Sequence, residues 1–153
     1  MSDFTGAEVP ETTFSDDLGE PSLALRLALA SFSQERTDET VKALVGTMAH
    51  QRLLIPVVAQ VDSMDAGVEK DSSMQSVEFI AEDGRRALLA FTGVDSLKLW
   101  DESARPIPRG AHVIAQAVLE QELDAMIIDI AGPTPVALDG GLLVRVADRK
   151  SVV

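Results

Sequence analysis

Cysteine is missing from this chain of 153 residues, and histidine is nearly so. The absence of cysteine excludes disulfides, thiolate metal sites and cysteine nucleophiles. The two histidines, His50 and His112, leave little imidazole chemistry available. We therefore expect neither a zinc site nor a histidine-dependent hydrolase.

Long hydrophobic runs and a basic leader at the N-terminus are also missing. The longest apolar run with helical character, residues 23–30, contains Arg26 and is too short to span a bilayer. The absence of a basic leader with an apolar segment indicates no signal peptide. The sequence therefore predicts a cytoplasmic protein of about one domain.

Positive charge is scarce: the formal net charge is −12. A nucleic-acid partner and an anionic membrane surface are both disfavoured, because each attracts a basic face. Residues 1–20 hold six acids and no base (Asp3, Glu8, Glu11, Asp16, Asp17, Glu20). Their composition predicts an acidic, flexible tail, followed by a folded domain over residues 21–153.

Helix and strand patterns alternate along that domain. Helices are predicted over residues 22–35, from 37, over 93–101, over 110–122 and, capped by Asp139, to 148. Strands are predicted over 53–61, 77–81, 87–91, 125–130 and 136–138, with a loop over 62–74. Pro56 suggests that the first strand is an edge, is bulged or starts late. Pro106 and Pro108 exclude helix over residues 105–108.

Asp83-Gly84 lies between two of these strands and predicts a tight hairpin, since glycine tolerates a positive φ. The predicted fold is a single layered α/β (α+β) domain, whose mixed β-sheet has a central hairpin flanked by helices. Phe91, Trp100 and Pro106 are expected to form a core cluster, with a partner-binding anchor as the alternative.

Asp129 follows the apolar run Met126-Ile127-Ile128 and is the sharpest single candidate. A buried carboxylate must be paired or must lie at the strand's end, because an isolated buried charge is very costly. Ligands often bind at the carboxyl ends of strands in open α/β sheets. A structural anchor with an arginine is the alternative.

Arginine offers bidentate donors to anions, so Arg85, Arg86, Arg105 and Arg109 are candidates for binding an anion or a carboxylate-bearing partner. The alternative is internal pairing of Arg85 or Arg105 with Asp129 or Asp83. Residues 70–74 could add a cation, Lys70, and hydroxyls to a pocket, or form a solvated loop.

Motifs for other chemistry are missing. The glycines follow neither dinucleotide-binding nor phosphate-loop spacing, and the serines lack a nucleophile elbow. The acidic groups lack the spacing of a calcium loop and are expected to be a solvated face (Asp16-Asp17, Asp38-Glu39, Glu120, Glu122 and Asp124). No cofactor and no metal are predicted.

An ordered set of segments resembles the SseB protein N-terminal domain family over about residues 22–148. The set consists of residues 53–58, 70–74 and 83–92, Trp100, and residues 104–108 and 128–133. The family name refers to enhanced serine sensitivity, not to the secretion translocon subunit of the same name. The resemblance implies a bacterial α/β domain without established catalytic activity or agreed ligand. It matches the family's polar pattern at Lys70, Arg85, Thr92, Arg105 and Asp129, our candidate ligand-binding set.

We expect a non-enzymatic module that acts through protein–protein contact, with an unknown protein or a second copy of the chain as partner. The alternative is a small-anion or metabolite-binding domain, in which Lys70, Arg85 and Arg105 converge near Asp129. A hydrolase or transferase is less favoured, because no nucleophile–base pair is visible.

Overall fold

Five helices and seven strands form from the residues that the computed structural model describes, which are 18–59, 74–76 and 78–148. The helices are α1 (Leu23–Gln34), α2 (Asp38–Met48), α3 (Val94–Trp100), α4 (Ala111–Glu120) and α5 (Gly140–Ala147). The strands are β1 (Arg52–Ala59), β2 (Met74–Ser76), β3 (Glu78–Ile80), β4 (Arg86–Ala90), β5 (Arg105–Gly110), β6 (Ala125–Ile128) and β7 (Val136–Asp139).

The strands form two sheets. One is antiparallel with the order β2–β1–β5, and the other is mixed with the order β3–β4–β6–β7, in which β4 and β6 are parallel. Reciprocal hydrogen bonds of 2.8 Å between the backbones of Leu54 and Phe91 join the sheets. The mixed α+β domain with a mixed sheet is confirmed. A second, antiparallel sheet accompanies the mixed one, and the hairpin β3–β4 lies at the edge of the mixed sheet rather than at its centre.

Each face of the mixed sheet meets a different core. Met126 and Ile128 of β6 point into the larger core, which α1, α2, α4 and α5 cover. Ile127 points the other way, into a smaller core with Leu89 and Phe91 that α3 closes. Strand β6 is therefore covered on both faces, as its unbroken apolar run favours. Trp100 joins the smaller core, with its ring centroid 5.7 Å from that of Phe91.

Strands β2 and β5 were not predicted from the sequence, and the prolines of β5 argue against a ladder. The N–H and C=O of Leu54 bond Phe91 and so point away from β5. Pairing positions alternate along a strand, so Pro106 and Pro108, which lie opposite Pro56 and Leu54, turn their nitrogens away from β1. The prolines therefore occupy places where the ladder needs no N–H donor, and they leave the outer edge of β5 poor in donors.

None of the three alternatives predicted for β1 at Pro56 holds. The strand is the middle one of its sheet, pairs with β5 from Arg52 onward, and keeps a one-to-one register with β5 through Pro56. Pro56 falls between the Leu54–Phe91 bridge and the pairing with β2, which spans Val57 to Ala59. Its nitrogen points away from β5, as that of Leu54 does, so the ladder with β5 needs no donor from it.

The hairpin between β3 and β4 has a loop of three residues, 82–84. Ala81 N–H donates to Arg85 O at 2.8 Å, and Gly84 N–H donates to Ala81 O at 2.9 Å. Gly84 has φ of +90°, the left-handed value expected after a type I turn. The predicted turn at Asp83-Gly84 is confirmed, with one more residue in the loop than a two-residue hairpin has.

We expect the substitution Gly84→Ala to lower the free energy of unfolding by about 1 to 2 kcal/mol, because Cβ disfavours a left-handed backbone. No atom lies within 4 Å of the added Cβ, so this cost is conformational rather than steric. Gly141→Ala in α5 is the matched control: its Cβ also meets nothing, and helix propensity predicts a gain of up to about 1 kcal/mol. Urea denaturation measures both, and an unchanged midpoint for Gly84→Ala would contradict the assignment.

Candidate functional site

The Asp129 side chain is 1% exposed and lies where β6 ends. Its backbone is left-handed, with φ of +55°, and its N–H donates to Ala90 O at 2.9 Å. This turn aims the carboxylate across the parallel pair at Thr92, just beyond β4. Oδ1 accepts the Thr92 N–H at 2.8 Å, and Oδ2 accepts the Thr92 hydroxyl at 2.7 Å. Asp129 therefore ties the carboxyl ends of β4 and β6 together.

The Thr92 hydroxyl links Asp129 to a guanidinium on α1. It accepts a hydrogen bond from Arg26 Nε at 2.9 Å while donating its own proton to Asp129. The two terminal nitrogens of Arg26 donate to Asp95 on α3, at 3.0 and 2.6 Å. A bidentate pair of this kind fixes both distance and orientation. Helix α1 is thereby attached to α3 and to the sheet end.

A second guanidinium reaches the same place from β1. Arg52 Nη1 donates to Thr92 O at 2.8 Å, and Nη2 donates to Glu20 O at 2.5 Å. Gly19 O also accepts the Val94 N–H at 2.7 Å. Part of the stretch predicted as a flexible tail is thus hydrogen-bonded over the sheet end, while residues 1–17 lie outside the described residues.

We call Arg26, Arg52, Thr92, Asp95 and Asp129 the Thr92 cluster. Its formal charges balance, since it holds two guanidiniums and two carboxylates. Both carboxylates accept hydrogen bonds from within the cluster, and Thr92 uses its N–H, its C=O and its hydroxyl there. Such a neutral, saturated arrangement suits structural anchoring better than the capture of a charged ligand.

Hydrogen bonding between Arg26 and Asp95 shifts the pKa of both groups. The guanidinium holds the pKa of the Asp95 carboxyl below its ordinary value, and the Ser96 N–H lowers it further. The same hydrogen bonds raise the pKa of Arg26, and the negative charge of Asp129 adds to this effect. Both members of the pair are therefore ionised at neutral pH.

Of the candidate ligand-binding set, only Thr92 and Asp129 are brought together. Arg85 precedes the pair Ala87–Ala125 and Asp129 follows the pair Ala90–Ile128, so they lie at opposite ends of the parallel strands, on the order of 20 Å apart. Arg85 instead pairs with Asp139 at 3.3 Å.

Arg105 does not join Asp129 either. Arg105 pairs with Val57 on β1, whereas Arg52 pairs with Gly110, so Arg105 is five residues along β5 from the Thr92 cluster, on the order of 15 Å. The predicted convergence of Arg85 and Arg105 on Asp129 is therefore wrong. Lys70 lies outside the described residues, and its role stays a prediction.

Neither Thr92 nor Asp139 makes a side-chain cap bond to the helix that follows it. Thr92 does not cap α3, because its side chain is committed to Asp129; Gly93 is the N-cap residue, and its N–H donates to the Ser96 hydroxyl at 3.4 Å. Asp139 occupies the N-cap position of α5 but makes no side-chain cap bond, since it faces Arg85.

Sequence reasoning missed Arg26, Arg52 and Asp95 as members of the Thr92 cluster. The signal for Arg26 was present: it is the only charged residue in the twelve residues of α1. A lone charge flanked by buried leucines must reach a partner or solvent. No local pattern indicated which residues Arg26 would contact, since Thr92 and Asp95 lie 66 and 69 residues further along the chain.

Three surface pockets are formed by described residues, with volumes of about 110, 140 and 260 Å³. The smallest is floored by apolar side chains beside Arg85 and Arg86, and each arginine has an acidic neighbour at 3.3 Å, Asp139 and Glu78 respectively. All three are below the roughly 300 Å³ at which small-molecule sites begin, and none is lined by the Thr92 cluster.

The outward side of α1 presents a different kind of surface. Leu23 is 72% exposed and Leu27 is 61% exposed, one helical turn apart. Ala24, Ser31 and Gln34 are also exposed, and we call these five residues the α1 outer face. The face contains no charged residue.

The described part of the chain holds neither a metal-binding cluster nor a membrane-spanning helix. Residues 18–59, 74–76 and 78–148 contain no group of three or more side chains that could hold a metal ion. Over the same residues, the helices are too short or too polar to cross a bilayer.

We expect Thr92→Val to destabilise the domain by about 3 kcal/mol, because Oδ2 of the buried Asp129 and Nε of Arg26 each lose the hydroxyl to which they are hydrogen-bonded. Thr92→Ser is the matched control: it retains the hydroxyl and loses one methyl group, at about 1 kcal/mol. Urea denaturation with far-UV circular dichroism compares them. Equal losses would show that the hydroxyl does not anchor the cluster.

Asp95→Asn tests the pH dependence of the ion pair. The lowered pKa of Asp95 in the folded state means that the pair stabilises above the unfolded carboxyl pKa and is lost as pH falls through the folded value. Because the Asp95 side chain is 57% exposed, solvent screens the pair and we expect only about 0.5 kcal/mol at pH 7. The difference between wild type and Asp95→Asn should shrink below about pH 4 and with added salt. A difference that grows on acidification would contradict this.

A family model described as the SseB protein N-terminal domain matches residues 25–143. None of the curated proteins and none of the solved structures matches the chain. The matched region covers most of the chain and includes every member of the Thr92 cluster. The chain therefore belongs to the SseB protein N-terminal domain family.

Proposed function

We propose that this domain is a non-enzymatic, cytoplasmic protein-interaction module that binds through the α1 outer face. The observation that carries the proposal is the exposure of two leucines, Leu23 and Leu27, on one side of a helix whose other side is buried in the core. A single exposed leucine is ordinary, but adjacent ones on a rigid element are typical of a contact surface.

The rigidity of α1 supports this role. Leu25 and Leu29 are completely buried and Phe32 nearly so, which fixes the rotation of the helix about its axis. The bidentate pair between Arg26 and Asp95 adds a polar attachment to α3. A surface that is held before binding loses little conformational entropy when a partner arrives, so affinity is gained without large area.

The charge of the face supports protein binding over anion binding. In a chain of net charge −12, residues 21–34 contain no acid, and Arg26 is engaged by Asp95. The alternative of a small-anion site relied on arginines near Asp129, and the nearby ones already serve Asp95, Thr92 and the Glu20 carbonyl. We therefore regard small-anion binding as the second candidate function, after protein binding.

The double substitution Leu23→Glu/Leu27→Glu tests the proposal. With the full chain as bait in a lysate of its native host, we expect recovery of specific proteins, including untagged copies of the chain, to fall at least about tenfold, as loss of contact hot spots predicts. Quantitative mass spectrometry measures this recovery, and thermal unfolding should be unchanged because both side chains are exposed.

The matched control is Leu119→Glu/Val144→Glu, which places the same charges at exposed apolar positions on α4 and α5. It should retain the proteins that wild type recovers. If both double variants recover the same set as wild type, the α1 outer face is not the binding surface.

A further inference from the structure

We infer that the partner of the α1 outer face is a second copy of this chain, bound in an antiparallel arrangement with two-fold symmetry. Leu23 then packs against the partner subunit's Leu27, and the reverse contact follows from the symmetry. The inference rests on the proposed function and identifies its partner.

The α1 outer face carries no charge, which restricts what can bind to it. A partner must present an apolar surface without unpaired charge, since nothing on the α1 outer face would compensate one. The α1 outer face itself meets this requirement. By comparison, exposed positions of the other long helices carry charges, among them Glu39 and Lys42 on α2, Glu120 on α4 and Arg145 on α5.

Electrostatic repulsion between two copies of the chain also bears on where they can meet. Two copies with a formal charge of −12 repel each other, and the repulsion is least when acids stay far from the contact. Helix α1 carries no acid, whereas α2 begins with Asp38 and Glu39. Contact through α1 therefore places no acid within the contact itself, while six acids lie in residues 1–20, just before the helix.

The shape of the α1 outer face suits contact with a second copy of itself. Leu23 and Leu27 project between small neighbours, Ala24 and Ser31, so the leucines of one copy fit beside the small residues of the other. An axis midway between positions 23 and 27 makes two equivalent leucine contacts, since residue i meets j and j meets i. Small side chains at such a crossing allow interaxial distances near 8 Å.

The size of the face sets the strength of the dimer. Twelve residues make a helix about 18 Å long and about 10 Å wide, so the total buried area stays below about 1,200 Å². Interfaces of that size are weak, and we expect association in the upper micromolar range. The outer edge of β5 is a poor competitor, since Pro106 and Pro108 leave it short of donors.

Cysteine cross-linking tests the arrangement, because the native chain has no cysteine. Single variants Leu23→Cys and Leu27→Cys, carrying tags of different size, are mixed and oxidised. We expect the mixed disulfide to exceed both homodimeric ones several-fold, since a disulfide requires Cβ atoms about 3.5 to 4.5 Å apart. Val144→Cys is the control and should remain monomeric. Equal yields from all pairings, or none, would overturn the inference.

Sedimentation velocity from about 10 µM to about 1 mM full chain measures the equilibrium. The dimer should strengthen with added salt, because screening reduces mutual repulsion, should vanish in Leu27→Glu and should persist in Val144→Glu. A strict monomer at all concentrations overturns the inference. If lysate capture is nevertheless lost in Leu23→Glu/Leu27→Glu, the proposed function stands with a different partner; if capture is insensitive to that change, the proposed function fails as well.

Discussion

Burial of the Asp129 carboxylate imposes the constraint on which the rest of this domain depends. A charge 1% exposed at the end of a core strand would be prohibitive without hydrogen bonds, and Thr92 supplies two of them. Thr92 in turn orients Arg26, and Arg26 holds Asp95. A single buried acid thus determines how two strand ends, one long helix and one short helix meet.

The orientation of α1 follows from that chain of contacts. Arg26 must face the sheet end to reach Thr92, while Leu25, Leu29 and Phe32 must face the core. Residues three and four apart share a helix face, so both requirements leave Leu23 and Leu27 pointing to solvent. Their exposure is a by-product of packing and polar anchoring, and it is also what makes the helix available to a partner.

The features that could be predicted from the sequence are those with a local cause. The turn at Gly84 depends on one residue's tolerance of positive φ, and the burial of β6 on both faces follows from its unbroken apolar run. Strand β5 could not be predicted, because its prolines are acceptable only on the side that faces away from β1. The buried position of Asp129 was foreseeable, but its link to Arg26 through Thr92 was not, since periodicity indicates which face is buried and not what lies opposite.

The Thr92 cluster can form only late in the synthesis of the chain. Arg26 and Asp129 are separated by about a hundred residues, which a ribosome adds in roughly 5 to 20 s. During that interval the first helix has leucines on both sides and no sheet end to dock on. Helix α1 can therefore complete its polar attachment to the sheet end only after β6 and Asp129 have been synthesised.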